Sequence, residues 1–127
     1  MKNFITLFSF ILSLFVAGSL SHGQTKQSTP HKQVWDGKKT SFHGFDQYNF
    51  PLEGIACRVV VPKKIADGKP WVWRARFFGH EPQFDIAMLN RGYHVVYCDV
   101  SGLFGNKEAV NRWNQFYNYL RFEHLFS

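Results

Sequence analysis

The sequence predicts an α/β fold with the element order β-β-β-α-β-α, an N-terminal hairpin followed by a parallel βαβα segment. Three observations support this prediction. Apolar and β-branched residues dominate three short segments between residues 42 and 78. After Pro82 the apolar residues recur at steps of three and four, as in helices. A short apolar strand lies between the two helical segments, and such alternation is typical of a parallel sheet.

The first two strands are predicted from residue type and turn chemistry. Residues 42–50 carry four aromatic side chains and are interrupted by Gly44, which indicates an irregular strand. Residues 55–61 are rich in β-branched side chains, a composition typical of a strand. Residues 51–54 (Pro-Leu-Glu-Gly) supply a turn between them. Together these segments predict an antiparallel hairpin.

Residues 71–78 alternate in a period of two and predict a third strand. Arg74 and Arg76 would then share one face of a central strand. Two interpretations stay open for these arginines. They pair with carboxylates such as Asp85 or Asp99, or they stabilise an anionic substrate; an unpaired buried arginine would be costly.

Two helices and one more strand complete the prediction. Pro82 suits the first turn of a helix that Gly92 ends. Residues 93–98 form the next strand, followed by a glycine-containing loop. Asn106 is a suitable N-cap for an amphipathic helix over residues 109–120.

The N-terminus has the pattern of an export signal. Residues 1–23 contain one lysine, an apolar run and then small residues, which predicts a signal peptide and a secreted or periplasmic protein. A transmembrane helix is the alternative, but the run is shorter than the roughly 20 apolar residues that a span needs. Residues 24–40 are polar and turn-prone and predict a linker.

Composition excludes several classes of protein. Aromatic residues make up 18% of the chain and charged residues 19%, which excludes a disordered chain. Two cysteines exclude a multi-bridge scaffold and a four-cysteine zinc site, and no histidine pair has zinc-site spacing. We predict neither a metal nor another cofactor. The net charge of +6 comes from scattered residues, so we expect no nucleic-acid partner, and no membrane association after signal cleavage.

Two segments resemble a known family. Residues 68–82 (Gly-Lys-Pro-Trp-Val-Trp-Arg-Ala-Arg-Phe-Phe-Gly-His-Glu-Pro) resemble the third strand and following loop of exported α/β-hydrolases, and residues 89–100 resemble their first helix end and fourth strand. The similarity extends over about residues 42–120. It implies a partial α/β-hydrolase sheet and an esterase-like enzyme, acting by serine acyl transfer on a small-molecule or carbohydrate ester.

The chain departs from that family at the nucleophile. The Gly-x-Ser-x-Gly turn is absent; Ser101 is followed by Gly102, but no glycine stands two positions before it. Residues 41–127 are therefore expected to be the N-terminal half of an incomplete hydrolase domain, inactive by itself.

The resemblance also implies site residues. The loop after the third strand, Phe78-Gly79-His80, would supply a backbone N–H to an oxyanion hole, and His80, Glu81 and Asp99 would contact substrate. The alternative for Gly79 is a tight strand-to-helix turn, and the alternative for Asp99 is to cap the loop that follows it. None of these residues is a nucleophile.

In the hydrolase sheet, the second strand runs antiparallel beside the fourth. The resemblance therefore places Cys57 near Cys98, either as a cross-strand disulfide or as two buried free thiols.

A second function stays open, namely a small exported binding module whose many aromatic residues bind a carbohydrate or a peptide. This hypothesis predicts several aromatic side chains outside the core.

Overall fold

The structure is a computed structural model that describes residues 35–127. The predicted signal peptide and most of the predicted linker lie outside the described residues. The secondary structure consists of β1 (Lys38–Phe42), β2 (Phe45–Leu52), β3 (Ile55–Val61), β4 (Trp71–Trp73), α1 (Gln83–Asn90), β5 (His94–Cys98), α2 (Lys107–Asn118) and a π-helical turn (Tyr119–Glu123).

The five strands form one mixed sheet in the order β1-β2-β3-β5-β4. Three neighbouring pairs are antiparallel, and only β4 and β5 run parallel. The predicted parallel βαβα arrangement, and with it the partial α/β-hydrolase sheet, is therefore wrong. Among the described residues, two α-helices accompany a sheet that is mostly antiparallel.

The error begins at residues 42–50, where the sequence predicted one irregular strand. The chain reverses at His43 and Gly44, which both have positive φ angles (+47° and +84°). Two central residues with positive φ define the two-residue hairpin turn whose twist matches its strands. Phe42 therefore pairs with Phe45, and an additional strand, β1, extends the sheet back to Lys38 within the predicted linker.

Other local predictions are confirmed. β2 and β3 form the predicted antiparallel hairpin, with Leu52 opposite Ile55. β4, α1 and β5 form one βαβ unit with parallel strands. The Asn106 side chain caps α2 by accepting a hydrogen bond from the Ala109 N–H (3.0 Å).

The third strand is shorter than predicted and lies elsewhere. β4 ends at Trp73 instead of residue 78, and it is an edge strand. Arg74 and Arg76 therefore do not share a face of a central strand. The chain after Trp73 leaves the sheet and becomes a loop, in which Phe77 has a positive φ of +53° that is incompatible with an extended strand.

Both faces of the sheet carry apolar clusters. The larger cluster lies under α2 and has as its buried members Trp35, Phe50, Ile55, Cys57, Val59, Val96, Cys98, Val100, Ala109, Phe116, Leu120 and Phe126. The smaller cluster lies under α1 and has as its buried members Phe42, Phe45, Val60, Leu89 and Val95. The sheet is thus placed between two layers, and the loops at the carboxyl ends of β4 and β5 extend beyond them.

Candidate functional site

The loop that follows β4 contains a tight turn. The His80 N–H donates a hydrogen bond to the Phe77 carbonyl oxygen (3.0 Å), which closes a four-residue turn. Gly79 occupies the third position with a φ of +85°, a conformation that type II turns require and that glycine adopts without steric cost. The turn directs Phe77 into solvent, where 66% of its surface is exposed.

Arg74 attaches this loop to α1. Its Nε lies 3.1 Å from Asp85 Oδ2, and its guanidinium donates to the carbonyl oxygens of His80 and Glu81. Asp85 is fully buried in the first turn of α1. Burial raises the pKa of Asp85, and the positive Arg74 opposes that effect. The predicted pairing of Arg74 with Asp85 is confirmed, and it fixes the path of residues 74–81.

The turn determines which of the predicted oxyanion-hole N–H groups are available to a ligand. The His80 N–H is already donated to Phe77, so it is not available for a ligand. The N–H groups of Phe78 and Gly79 make no hydrogen bond to any part of the chain that the structure describes. An oxyanion-binding role for Phe78 and Gly79 stays a prediction, and the alternative tight-turn role of Gly79 is present in the geometry.

Two exposed aromatic residues from different loops lie beside the same arginine. The Arg76 guanidinium carbon lies 4.9 Å from the Phe77 ring centre and 6.0 Å from that of Phe104, which belongs to the loop after β5. The His80 ring lies edge-on to Phe77, with 6.4 Å between ring centres. Phe104 is 87% exposed. We call Arg76, Phe77, His80 and Phe104 the aromatic–arginine cluster.

A second arginine, Arg58, packs on Phe78, the residue between Phe77 and Gly79 in the turn. Phe78 lines a hollow of about 450 Å³ together with Phe77 and His80. Arg58 lies over the Phe78 ring at 5.0 Å and 5.3 Å from the Tyr97 ring centre. Arginine stacked on two rings orders all three side chains. Phe78, on one side of the hollow, is therefore preorganised, whereas Phe77, which also lines it, is open to solvent.

Asp99 caps the loop that follows β5, which is the alternative role predicted for it; its contact with substrate stays a prediction. Its Oδ1 accepts hydrogen bonds from the Ser101 N–H (2.9 Å) and the Tyr97 hydroxyl (3.2 Å). Hydrogen bonds from Ser101, more than any other effect, lower the pKa of Asp99. The Asp99 carbonyl oxygen accepts from Arg112 on α2 (3.2 Å). Asp99 thus stabilises the loop that carries Phe104.

The remaining predicted site residues are His80, Glu81, Cys57 and Cys98, and His80 is the one that lies in the aromatic–arginine cluster. His80 belongs to the aromatic–arginine cluster, whereas Glu81 is exposed and its carbonyl oxygen is bound by Arg74. Cys57 and Cys98 lie directly opposite each other on β3 and β5 and are present as buried free thiols. They face the larger apolar cluster, on the other side of the sheet from Phe78.

Sequence reasoning missed Phe104 and misplaced Arg76. Phe104 belongs to no periodic pattern; the signal available was a large apolar residue within a short loop between Gly102 and Gly105. Such a side chain has no predicted core to enter, and it is therefore a candidate for contact with a partner. Arg76 was assigned to a strand, which hid its position in the same surface.

Comparison of the chain with protein-family models, curated proteins and solved structures found no match. Within residues 35–127, no group of three histidine, cysteine or acidic side chains is arranged to hold a metal ion. Over the same residues, no helix combines the length and the apolar character required to cross a bilayer.

Proposed function

We propose that this chain is a binding module whose aromatic–arginine cluster binds an acidic peptide segment, with a carboxylate beside an apolar side chain. The observation that carries the proposal is the state of Arg76. It contacts two exposed phenylalanine rings from different loops, and it forms no ion pair with any carboxylate of residues 35–127.

The chemistry of arginine determines the charged half of the ligand. The flat face of the Arg76 guanidinium packs against aromatic rings, while the N–H donors around its edge can reach outward. A carboxylate matches this edge through two parallel hydrogen bonds, and such charge-assisted bonds are roughly twice as strong as neutral ones.

The exposed rings determine the apolar half. Phe77 and Phe104 offer large rigid surfaces outside the core, and exposed apolar groups of this kind mark interaction sites. Aromatic residues and arginine are also enriched at protein interfaces and among their energetically dominant residues. An apolar side chain packed on Phe77 would leave the neighbouring backbone or carboxylate close to Arg76.

A peptide fits these groups better than an uncharged carbohydrate. Sugar recognition requires several polar side chains to bind hydroxyl groups, whereas the polar side chains of the cluster are Arg76 and His80. A neutral sugar would leave the Arg76 charge without a counter-ion. The serine-hydrolase activity suggested by resemblance stays a prediction, as does export from the cell.

The test is a titration of the purified chain, labelled with ¹³C in its phenylalanine rings. The probe is an acetylated, amidated Gly-Asp-Phe-Asp-Gly peptide, and its Gly-Asn-Phe-Asn-Gly counterpart is the neutral control. We expect saturable shifts of the Phe77 and Phe104 ring signals in the millimolar range, with roughly tenfold weaker binding of the neutral peptide.

Two variants locate the binding. Arg76→Gln is expected to reduce affinity for the acidic peptide to that for the neutral one, whereas Arg91→Gln, at an exposed arginine just after α1, leaves it unchanged. Equal affinities for the two peptides, or ring shifts confined to other phenylalanines, would contradict the proposal. Saturable shifts with glucuronate but not with the acidic peptide would also contradict it, in favour of an acidic sugar.

A further inference from the structure

We propose that Cys57 and Cys98 form a cross-strand disulfide between β3 and β5 when the chain folds in an oxidising environment. The two residues are register partners in the antiparallel pair, so their side chains lie on the same face of the sheet. The inference is independent of the proposed peptide binding.

The hydrogen-bond pattern places the two cysteines in the closer type of pair. The Asp99 N–H donates to the Ala56 carbonyl oxygen (2.9 Å), so Ala56 and Asp99 are a hydrogen-bonded pair. The adjacent Cys57–Cys98 pair is then the non-hydrogen-bonded type, in which the Cα atoms are about 4.5 Å apart. This separation lies within the range of roughly 4.4–6.8 Å that disulfides adopt.

The environment of the two thiols favours a bond within the chain over a bond to a second molecule. Their residues are almost completely buried, at 1% and 0% exposure, so neither thiol of the folded chain reaches a second molecule. A hydrogen bond donated by the Cys57 thiol lowers the pKa of Cys98, and the positive Arg112 acts in the same direction. In the folded chain, Cys98 is therefore the thiol that more readily loses its proton.

The oxidant is a small-molecule disulfide that reaches the thiols before burial is complete. The thiolate of either cysteine attacks one sulfur of the reagent, which breaks the S–S bond of the reagent and releases one thiolate. The other cysteine loses its proton to water, attacks the cysteine sulfur of the mixed disulfide and displaces the second thiolate. The protein loses two protons and two electrons; the electrons reduce the reagent to two thiols, which take up two protons.

The bond would join two strands that are distant in sequence. A bond between Cys57 and Cys98 closes the segment between them into a loop, which restricts the unfolded chain. Because the unfolded state then has less conformational freedom, we expect the unfolding temperature to rise by about 10–20 °C. Since β5 leads directly into the loop that carries Phe104, the bond would also fix the base of that loop.

The test is to refold the full chain in oxidised and in reduced glutathione, followed by peptide mapping without reductant. We expect a Cys57–Cys98 linked peptide, an intact mass lower by two hydrogens, and a higher unfolding temperature for the oxidised monomer. The expected difference in unfolding temperature disappears in Cys57→Ala and in Cys98→Ala.

Mapping of the unmodified chain decides the question even if a variant does not fold. Two alkylatable thiols after refolding in oxidised glutathione, or oxidation only to intermolecular dimers, would overturn the proposal. An oxidised monomer that unfolds at the same temperature as the reduced one would overturn the stabilising role.

Discussion

Aromatic residues near the two ends of β4 differ in their exposure to solvent. At its amino end, the last residues of the described chain pack against the sheet, and Phe126 is 2% exposed. At its carboxyl end, Phe77 and Phe104 project into solvent at 66% and 87% exposure. The same side chain is thus core at one end of a three-residue strand and open surface at the other.

Backbone and side-chain hydrogen bonds explain the difference. At the amino end, the Ser127 N–H donates to the Gly68 carbonyl oxygen (3.0 Å), and Trp71 Nε1 donates to the Ser127 oxygen (3.0 Å). Lys69 Nζ donates to the His124 carbonyl oxygen (3.0 Å). These bonds hold Phe126 against Trp71 and His94. At the carboxyl end, Arg74 instead binds the backbone of a turn that leaves Phe77 exposed to solvent.

The largest effect expected from this comparison is on stability. Phe126→Ala would leave a cavity in the larger apolar cluster and lower the free energy of unfolding by about 3–5 kcal/mol. Phe104→Ala deletes the same number of atoms from an exposed side chain, and we expect it to change the free energy of unfolding by less than about 0.5 kcal/mol. Urea denaturation of both variants measures the two changes. Similar losses in both would mean that the ends of β4 do not differ as described.

The amino end is also expected to be sensitive to acid. His94 is fully buried, 4.4 Å from the Phe126 ring centre, and burial lowers its pKa to about 4. Because the unfolded histidine titrates near 6.5, the unfolded chain binds the proton first as pH falls. Stability is therefore full above about pH 6.5 and is lost towards pH 4, by roughly 3 kcal/mol.

The measurement is the free energy of unfolding in urea across this pH range. Burial lowers the pKa of His124 as well, so that residue adds a change of the same sign. His94→Phe keeps a ring of similar shape and removes one titration, so most of the acid sensitivity should disappear. An unchanged pH dependence in this variant would show that His94 is not the responsible group.

Local signals account for the part of the fold that the sequence predicted. The β2–β3 hairpin follows from β-branched residues and turn chemistry, and α2 follows from its apolar spacing and the Asn106 cap. β1 was missed because Lys38–Phe42 lies at the sheet edge with four of its five side chains exposed, so no apolar alternation marks it. A mixed sheet could not be separated from a parallel one, because strand direction depends on pairing.

The candidate site depends on contacts between distant segments. The alternation of residues 71–78 favours a strand, but Arg74 binds a buried carboxylate on α1 and redirects the chain after Trp73. Phe104 joins Arg76 only because β4 and β5 are parallel neighbours, whose following loops emerge at the same edge. His80 also lies in the cluster, and its predicted contact with substrate stays a prediction.

The smallest expected effect isolates one hydrogen bond at the amino end of β4. Trp71→Phe removes the Nε1–H that donates to Ser127, whereas Trp113→Phe removes a buried Nε1–H that has no hydrogen-bond partner among residues 35–127. Both substitutions remove the same atoms, so the volume lost is matched. We expect Trp71→Phe to be more destabilising by about 1 kcal/mol in urea denaturation. The Trp71 hydrogen bond joins β4 to the last described residue. An equal or smaller loss in Trp71→Phe would mean that the other contacts of this segment, namely the packing of Phe126 and the hydrogen bonds of Gly68 and Lys69, are sufficient to hold it on the sheet.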